Sequence, residues 1–565
     1  MKKRTLLTCG LAAALFAGCS SDDKLTVDDG TVSNGTGYVS LRIALPSTSG
    51  GNKANDAENQ ANDQFHQGSS DEYKVNDITL IFFDQNNKYV ETHKLTNAGS
   101  WSTAPGTATG ITTDYTIPAQ QVSENVKKVL VLLNTPSGVN TSPNSFEAFN
   151  AALTADVNAL IGDAKDDFFM SNTTIAIEGE DPMTLVPVET KNTAADAVAA
   201  AHTIHVERAV GKVSISHAAA DWTGWTYKVP ATSTVHPGDK IEIKKWVLDN
   251  TNTQYYPVRK FNKAWGTLET AASTPINPNR FQSYAASYEA YKSDGTATYG
   301  YRTYWAEDPN YNQDVTLTMF SPTYNDAEGI EEINQDLSAN LYCLENTFDV
   351  KHMKQQNTTC AVLKAQYTPK DFTVGEDWYL IGNSTIPRTK AQVIAAANEA
   401  IAGSNPVTDV TFNNGKNTSF TTTNFVGASD AQVTTIATYL GSVTKYTKGY
   451  CYYIVRIQHF GSYVSAGMGY IYTPWGGEQY SWGSTTDEKY VDYTISGDTY
   501  LEGKYLGRYG IVRNNWYELE LGTISGPGDP VKPSSTTDPD DTKKTYISAT
   551  VKIMDWAVRK QSVDL

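Results

Sequence analysis

Hydrophobic and polar positions alternate early in the chain. From Tyr38 to Leu45, Val39, Leu41, Ile43 and Leu45 fall on one face and Tyr38, Ser40, Arg42 and Ala44 on the other, the two-residue period of a half-buried strand. Pro46 ends it. Residues 47–71 are rich in Gly, Ser, Asn, Asp and Gln with little to bury, which predicts a loop. Strand character resumes at Ile78–Phe83, and residues 126–134 (VKKVLVLLN) are apolar enough for a central strand. Phe146, Phe149, Leu153, Val157 and Leu160 recur at helical spacing, predicting a helix over 145–161. Two more helices are predicted at 389–402 and 429–440. Residues 204–216 (IHVERAVGKVSIS) predict a strand pair or one long bent strand, with a domain boundary shortly after, near 220. The rest reads as short strands between turn residues, with no fixed-period repeat.

The two ends differ from the body. Residues 525–544 (SGPGDPVKPSSTTDPDDTKK) carry four prolines, unsuited to a sheet interior, and predict a flexible linker. Beyond it Ile547, Ala549, Val551 and Ile553 share one phase, Trp556 and Val558 take the other, and Val563 and Leu565 return to the first. Phase breaks near Asp555 and Gln561 predict two strand pieces joined by a kink or bulge. Such a segment either completes its own sheet or adds to a sheet of a neighbouring copy. At the other end Lys2-Lys3-Arg4, a short apolar run and Leu15-Phe16-Ala17-Gly18-Cys19 form a secretory signal too short to span a membrane, which takes about 20 apolar residues. Small residues before Cys19 resemble the lipobox of bacterial lipoproteins, which implies removal of residues 1–18 and lipidation of Cys19. Ser20-Ser21-Asp22-Asp23 resembles the acidic export signal of Bacteroidetes surface lipoproteins. Two acyl chains make a firm anchor.

Composition narrows the function. The chain has 565 residues and a net charge of −17, enough for two or three domains. It has no dense basic run, which speaks against nucleic acid, whose binding rests on phosphate neutralisation. Thirty-four tyrosines among few charges fit a β-rich extracellular surface. Of five cysteines, Cys9 leaves with the signal and Cys19 takes lipid; Cys343, Cys360 and Cys451 remain. Their odd number excludes a complete disulfide framework, with Cys343 and Cys360 a candidate pair.

Motifs for catalysis, metal or cofactor binding are absent: no CxxC, HExxH, GxSxG, Walker loop or GxGxxG. His202 and His205, three apart on a strand, point to opposite faces and cannot share a metal. Asp538-Pro539-Asp540-Asp541 lacks the Gly and Glu of a calcium loop and reads as a solvated acidic loop. The Tyr- and Trp-rich stretch from Tyr446 to Tyr509 suits either cross-strand pairs or stacking on sugar rings. No enzyme and no cofactor are expected.

The loop after the first strand is a place for nicking. Lys53, in Ser49-Gly50-Gly51-Asn52-Lys53-Ala54, is the favoured site, and Arg42 is the alternative, shielded by its strand. A cut at Lys53 would release residues 19–53 and leave an open groove with unmet backbone groups. The lipobox, residues 167–172 (DFFMSN), 206–209 (VERA), 342–347 (YCLENT), 508–517 (RYGIVRNNWY), and the terminus from Trp556-Ala557-Val558 to Val563-Asp564-Leu565 resemble the Mfa-type fimbrillins. These are the major fimbrial subunits of Bacteroidales type V pili. The resemblance implies a mostly β fold of two transthyretin-like β-sandwich domains with a few short helices. These would occupy residues 54–220 and 221–565, after a signal at 1–18 and a lipidated propeptide at 19–53. It implies an outer-membrane lipoprotein precursor cut by an outer-membrane protease. Donor-strand polymerisation into an extracellular fimbria would follow, with a donor strand at 545–565 and plugs at Trp556, Val558, Val563 and Leu565. Partners would be copies of the chain, anchor and tip subunits, and a host or bacterial surface ligand. The family's cut usually follows Arg, whereas Lys53 holds that position here. The alternative is a surface-anchored glycan-binding lipoprotein.

Overall fold

The computed structural model describes residues 35–45, 68–96, 114–177, 180–262, 282–303, 305–314, 333–402, 405–459, 463–464, 471–472, 506–532, 540 and 547–554. The fold is mostly strand with a few short helices. The first core is built on a sheet ordered Tyr89–Thr96, Asp77–Phe83, Lys128–Leu133, Met170–Asn172, His202–Arg208, Leu41–Ala44 and Asp114–Thr116. Lys128–Leu133 pairs on both sides and is buried from Val129 onward, the central position its continuous apolar run predicts. Beneath it Ile78, Phe82, Leu130, Phe168, Ile204 and the N-terminal Leu41 and Ile43 form one cluster.

The chain leaves this core through two successive strands, His202–Arg208 and Val210–His217, broken at Ala209. The first belongs to the sheet above. The second lies in a four-stranded sheet ordered Leu341–Leu344, Val210–His217, Trp516–Ile524, Ile547–Met554. Facing it is a five-stranded sheet of Trp222–Thr223, Thr226–Lys228, Lys240–Asp249, Cys360–Thr368 and Tyr450–Arg456. Val213, Leu519 and Leu521 from the first and Ile241, Trp246, Leu363 and Tyr453 from the second share a core, because alternate residues of each strand point inward.

Neighbouring strands Cys360–Thr368 and Tyr450–Arg456 are separated in sequence by an excursion with its own core. Helices Lys390–Ile401 and Asp430–Leu440 begin at Thr389 and Ser429, each in a capping box with Gln392 or Gln432, which satisfies the first free amides. They pack Val393, Ala397, Val433 and Ile436 against Val407, Phe412, Phe425 and Val443. The excursion leaves and returns side by side, with Trp378 paired to Tyr446 and their rings stacked at 3.8 Å.

The helix expected over 145–161 is two single turns, Phe146–Phe149 and Asn158–Ile161. Between them Leu153–Thr154 pairs with Gln254–Tyr255, and Asn150 accepts the Val258 amide at 2.8 Å. A tertiary strand partner overrides helical periodicity there. Cys343, Cys360 and Cys451 are buried and form no disulfide. The candidate pair is not made: Cys343 lies in the core between the two sheets, whereas Cys360 and Val362 alternate onto the other face of their strand, with Val247, Tyr452 and Ile454. Burial raises the Cys343 thiol pKa and pushes that of Cys451 up to about 12.

Candidate functional site

The N-terminal segment is gripped along both edges. Thr36–Val39 runs antiparallel to Gln120–Ser123, and Tyr38 also exchanges backbone bonds with Lys191 at 2.8 and 2.9 Å. At Ser40 the ladder breaks, and the hydroxyl donates to the Ile117 carbonyl at 2.6 Å. Leu41–Ala44 then slots between two strands, parallel to His202–Arg208 and antiparallel to Asp114–Thr116. Val39, Leu41, Ile43 and Leu45 are 0–3% exposed, the face the alternation predicts; Ser40 and Ala44 on the other face are buried as well. Each such aliphatic chain contributes about 1.5–3 kcal/mol by leaving water. Arg42 is exposed at its side chain, but its backbone sits in the ladder between Thr203 and Thr116. Cys19 and Lys53 lie outside the described residues.

The C-terminal strand Ile547–Met554 is placed differently. It pairs antiparallel with Trp516–Ile524, Leu521 opposite Ala549 and Trp516 opposite Met554, and among the described residues it forms the edge of its sheet. Trp556, Val558, Val563 and Leu565 lie outside the described residues. The polar segment before this strand is fastened where it is described, against the expectation of a flexible linker. Gly526 and Gly528 carbonyls accept from Tyr453 and Tyr446 hydroxyls at 2.9 and 3.2 Å. Asp529 bridges Tyr452, and Lys532 pairs with Asp249 at 2.9 Å. Asp540, expected in a solvated loop, is 4% exposed, takes the Thr358 hydroxyl at 2.6 Å and faces Arg456 at 3.3 Å. A carboxylate with a cation and a hydroxyl donor tolerates burial.

Between the first two cores runs a seam of buried charge that pattern reading did not find. Glu207 receives a two-pronged bond from Arg259, 2.8 Å on each arm, both side chains fully buried. Arg513 pairs with Glu345 at 3.1 Å and donates to the Tyr256 carbonyl at 2.8 Å. Asn514 accepts from the Arg208 amide and guanidinium at 3.2 and 3.3 Å. Glu72 takes Lys212 at 2.7 Å and Tyr342 at 2.6 Å. Gly510 has φ +136°, and a Cβ there would stand 2.6 Å from the Asn346 carbonyl, so the turn requires glycine. The stretches 206–209, 342–347 and 508–517, remote in sequence, meet in this seam; Asn172 of 167–172 is buried nearby, accepting the Val131 amide at 2.9 Å. Their recurrence as strings was the available signal, but not their partners.

Elsewhere, His202 stacks on Tyr291 at 3.7 Å, while His205 is pushed down to about 4 by burial. Among the described residues no cluster of His, Cys, Asp or Glu is placed to hold a metal. Tyr446, Tyr452, Tyr453 and Tyr509 are 3–4% exposed, so these tyrosines serve the core and offer no face to a sugar.

Residues 488–562, which include the Trp516–Ile524 and Ile547–Met554 pair, match the family model of the major fimbrial subunit protein type IV, fimbrillin, C-terminal region. By this match residues 488–562 are similar to the C-terminal region of the fimbrillins. That model describes fimbrial subunits. Solved structures similar to the chain include a fimbrilin (fimA) from Porphyromonas gingivalis W83, with 13% identity, 93% of this chain and 98% of that chain covered, and TM-score 0.35. The tip fimbrial protein Mfa3 from Porphyromonas gingivalis has 11% identity, 92% and 100% coverage and TM-score 0.29. No curated protein matches the chain by sequence.

Proposed function

We propose that this chain is a structural subunit of a type V fimbria that polymerises by donor-strand exchange. It is exported as an outer-membrane lipoprotein through Cys19 and cut after Lys53 by an outer-membrane protease. Its N-terminal segment then leaves, and the C-terminal segment of the next copy fills the vacated slot. The observation that carries this reading is the position of Leu41–Ala44. The strand lies between two others with its aliphatic side chains in the core. Its departure therefore exposes both an apolar floor and two rows of backbone groups, a site that only another strand satisfies. Trp556, Val558, Val563 and Leu565 are the proposed plugs, and residues 54–220 and 221–565 the two transthyretin-like domains of the processed subunit. Arg42 is a poor alternative site, because cutting there requires pulling a doubly paired strand from the sheet.

N-terminal sequencing of protein recovered from the cell surface, beside its gel mobility without boiling, tests this. The expected result is a start at Ala54 and a ladder of multimers that collapses on boiling. A lipidated, uncut Cys19 on a single monomer band overturns it.

A further inference from the structure

We propose that the buried latch around Glu72 sets the limit of N-terminal processing by shielding Lys74, the next basic residue after Lys53; this rests on the processing reading above. Residues 54–73 contain no Lys or Arg, so a protease selective for basic residues meets two successive targets, Lys53 and Lys74. A cut at Lys74 would remove the turn Ser70–Tyr73 and strip Glu72 from the seam.

The Lys74 side chain by itself is accessible: it is 49% exposed and paired with Asp166 at the surface. Protection therefore comes from the backbone on either side. Before it, Glu72 is 1% exposed and its carboxylate is held by Lys212, itself 2% exposed, at 2.7 Å and by the Tyr342 hydroxyl at 2.6 Å. The Glu72 carbonyl accepts from Arg208 Nε at 2.9 Å, and the same guanidinium lies over the Tyr73 ring at 4.4 Å. After it, the Lys74 carbonyl, part of the bond a protease would cut, accepts from Asn134 Nδ2 at 2.8 Å, and the Asn76 amide donates to Asn134 Oδ1 at 2.7 Å. Proteolysis of a folded segment proceeds through its opened form. Opening here pulls Glu72 away from Lys212 and leaves that ammonium buried without its carboxylate, which is strongly unfavourable. The latch draws on both cores, since Arg208 ends a strand of the first sheet and Lys212 and Tyr342 lie in the four-stranded sheet.

Limited trypsin digestion of the purified full chain, followed by intact mass and N-terminal sequencing, tests the shield. In the unmutated protein the product beginning at Ala54 persists. In Glu72→Ala a product beginning at Val75 forms at least about tenfold faster, as expected when a local opening becomes easier. Cutting at Lys74 as fast as at Lys53 in the unmutated chain overturns the proposal, as does Glu72→Ala with no gain at Lys74. If Lys53 is never cut while Glu72→Ala still gains the Lys74 cut, the processing site is wrong and the shield stands. Hydrogen exchange on the unmutated chain gives a test that needs no variant. The Glu72, Lys74 and Asn76 amides are expected to be protected like those of Asp77–Phe83, and free-peptide exchange rates there overturn the proposal.

Discussion

The N-terminal strand Leu41–Ala44 and the C-terminal strand Ile547–Met554 look alike in sequence, each a short apolar alternation bordered by a polar stretch. In the fold they are opposites. The first is enclosed by a neighbour on each side, and the second, among the described residues, borders its sheet with one neighbour. An enclosed strand leaves behind a template, with two rows of donors and acceptors and a dry floor. An edge strand leaves one row and a face. The proposed acceptor is thus the N-terminal slot. The proposed donor is the segment that follows the strand Ile547–Met554.

The contrast breaks most sharply with a truncation. Deleting residues 556–565 is expected to yield a folded, secreted protein with no filaments by electron microscopy; filaments of normal length would refute strand donation. Next in size, Ile43→Ala, at a fully buried site, is expected to destabilise the uncut precursor by about 2–5 kcal/mol in denaturant unfolding. It is expected to leave the processed subunit unchanged, since that form no longer contains the residue. An equal loss in both forms would show that the strand is retained.

A pH titration gives a smaller effect. Burial pushes the Glu72 carboxyl up, but the charges of Lys212 and Arg208 and the bonds from Lys212 and Tyr342 outweigh it, holding its pKa below the ordinary 4.5. A carboxylate depressed in the folded state adds stability that is present above pH 4.5 and is lost as pH falls through the folded value. Acid unfolding of the unmutated chain is therefore expected to be steeper below that pH than in Glu72→Gln, by circular dichroism; parallel curves would remove Glu72 from the linkage. Smallest of all, Ser429→Ala removes a helix cap and is expected to cost about 1 kcal/mol within the excursion, without altering filament formation. A loss of filaments would tie that excursion to assembly.

Much of the local structure was legible. The inward set Val39, Leu41, Ile43 and Leu45 follows from period alone, the central strand at 128–133 from its unbroken apolar run, and the helices predicted at 389–402 and 429–440 are present. Of the two readings of 204–216, the strand pair is the one present. The helix over 145–161 fails for a nameable reason: Gln254–Tyr255, about a hundred residues on, offers Leu153–Thr154 a ladder that local spacing does not reveal. The fastened segment at 526–532 was hidden likewise, because its prolines and glycines look mobile until tyrosine hydroxyls from another strand are in place.

What the sequence determined by itself is the set of short-range choices: which faces turn inward and where the longer helices and the central strand lie. These depend on neighbours a few residues apart. Only the tertiary structure decided which strand is enclosed and which forms an edge, that Cys343 and Cys360 occupy different faces, and that Glu72, Glu207, Glu345, Lys212, Arg208, Arg259 and Arg513 meet in one buried seam. A charged residue carries no periodic mark of burial. Its partner lies anywhere along the chain, and burial becomes tolerable only once the fold has brought the opposite charge within hydrogen-bonding distance.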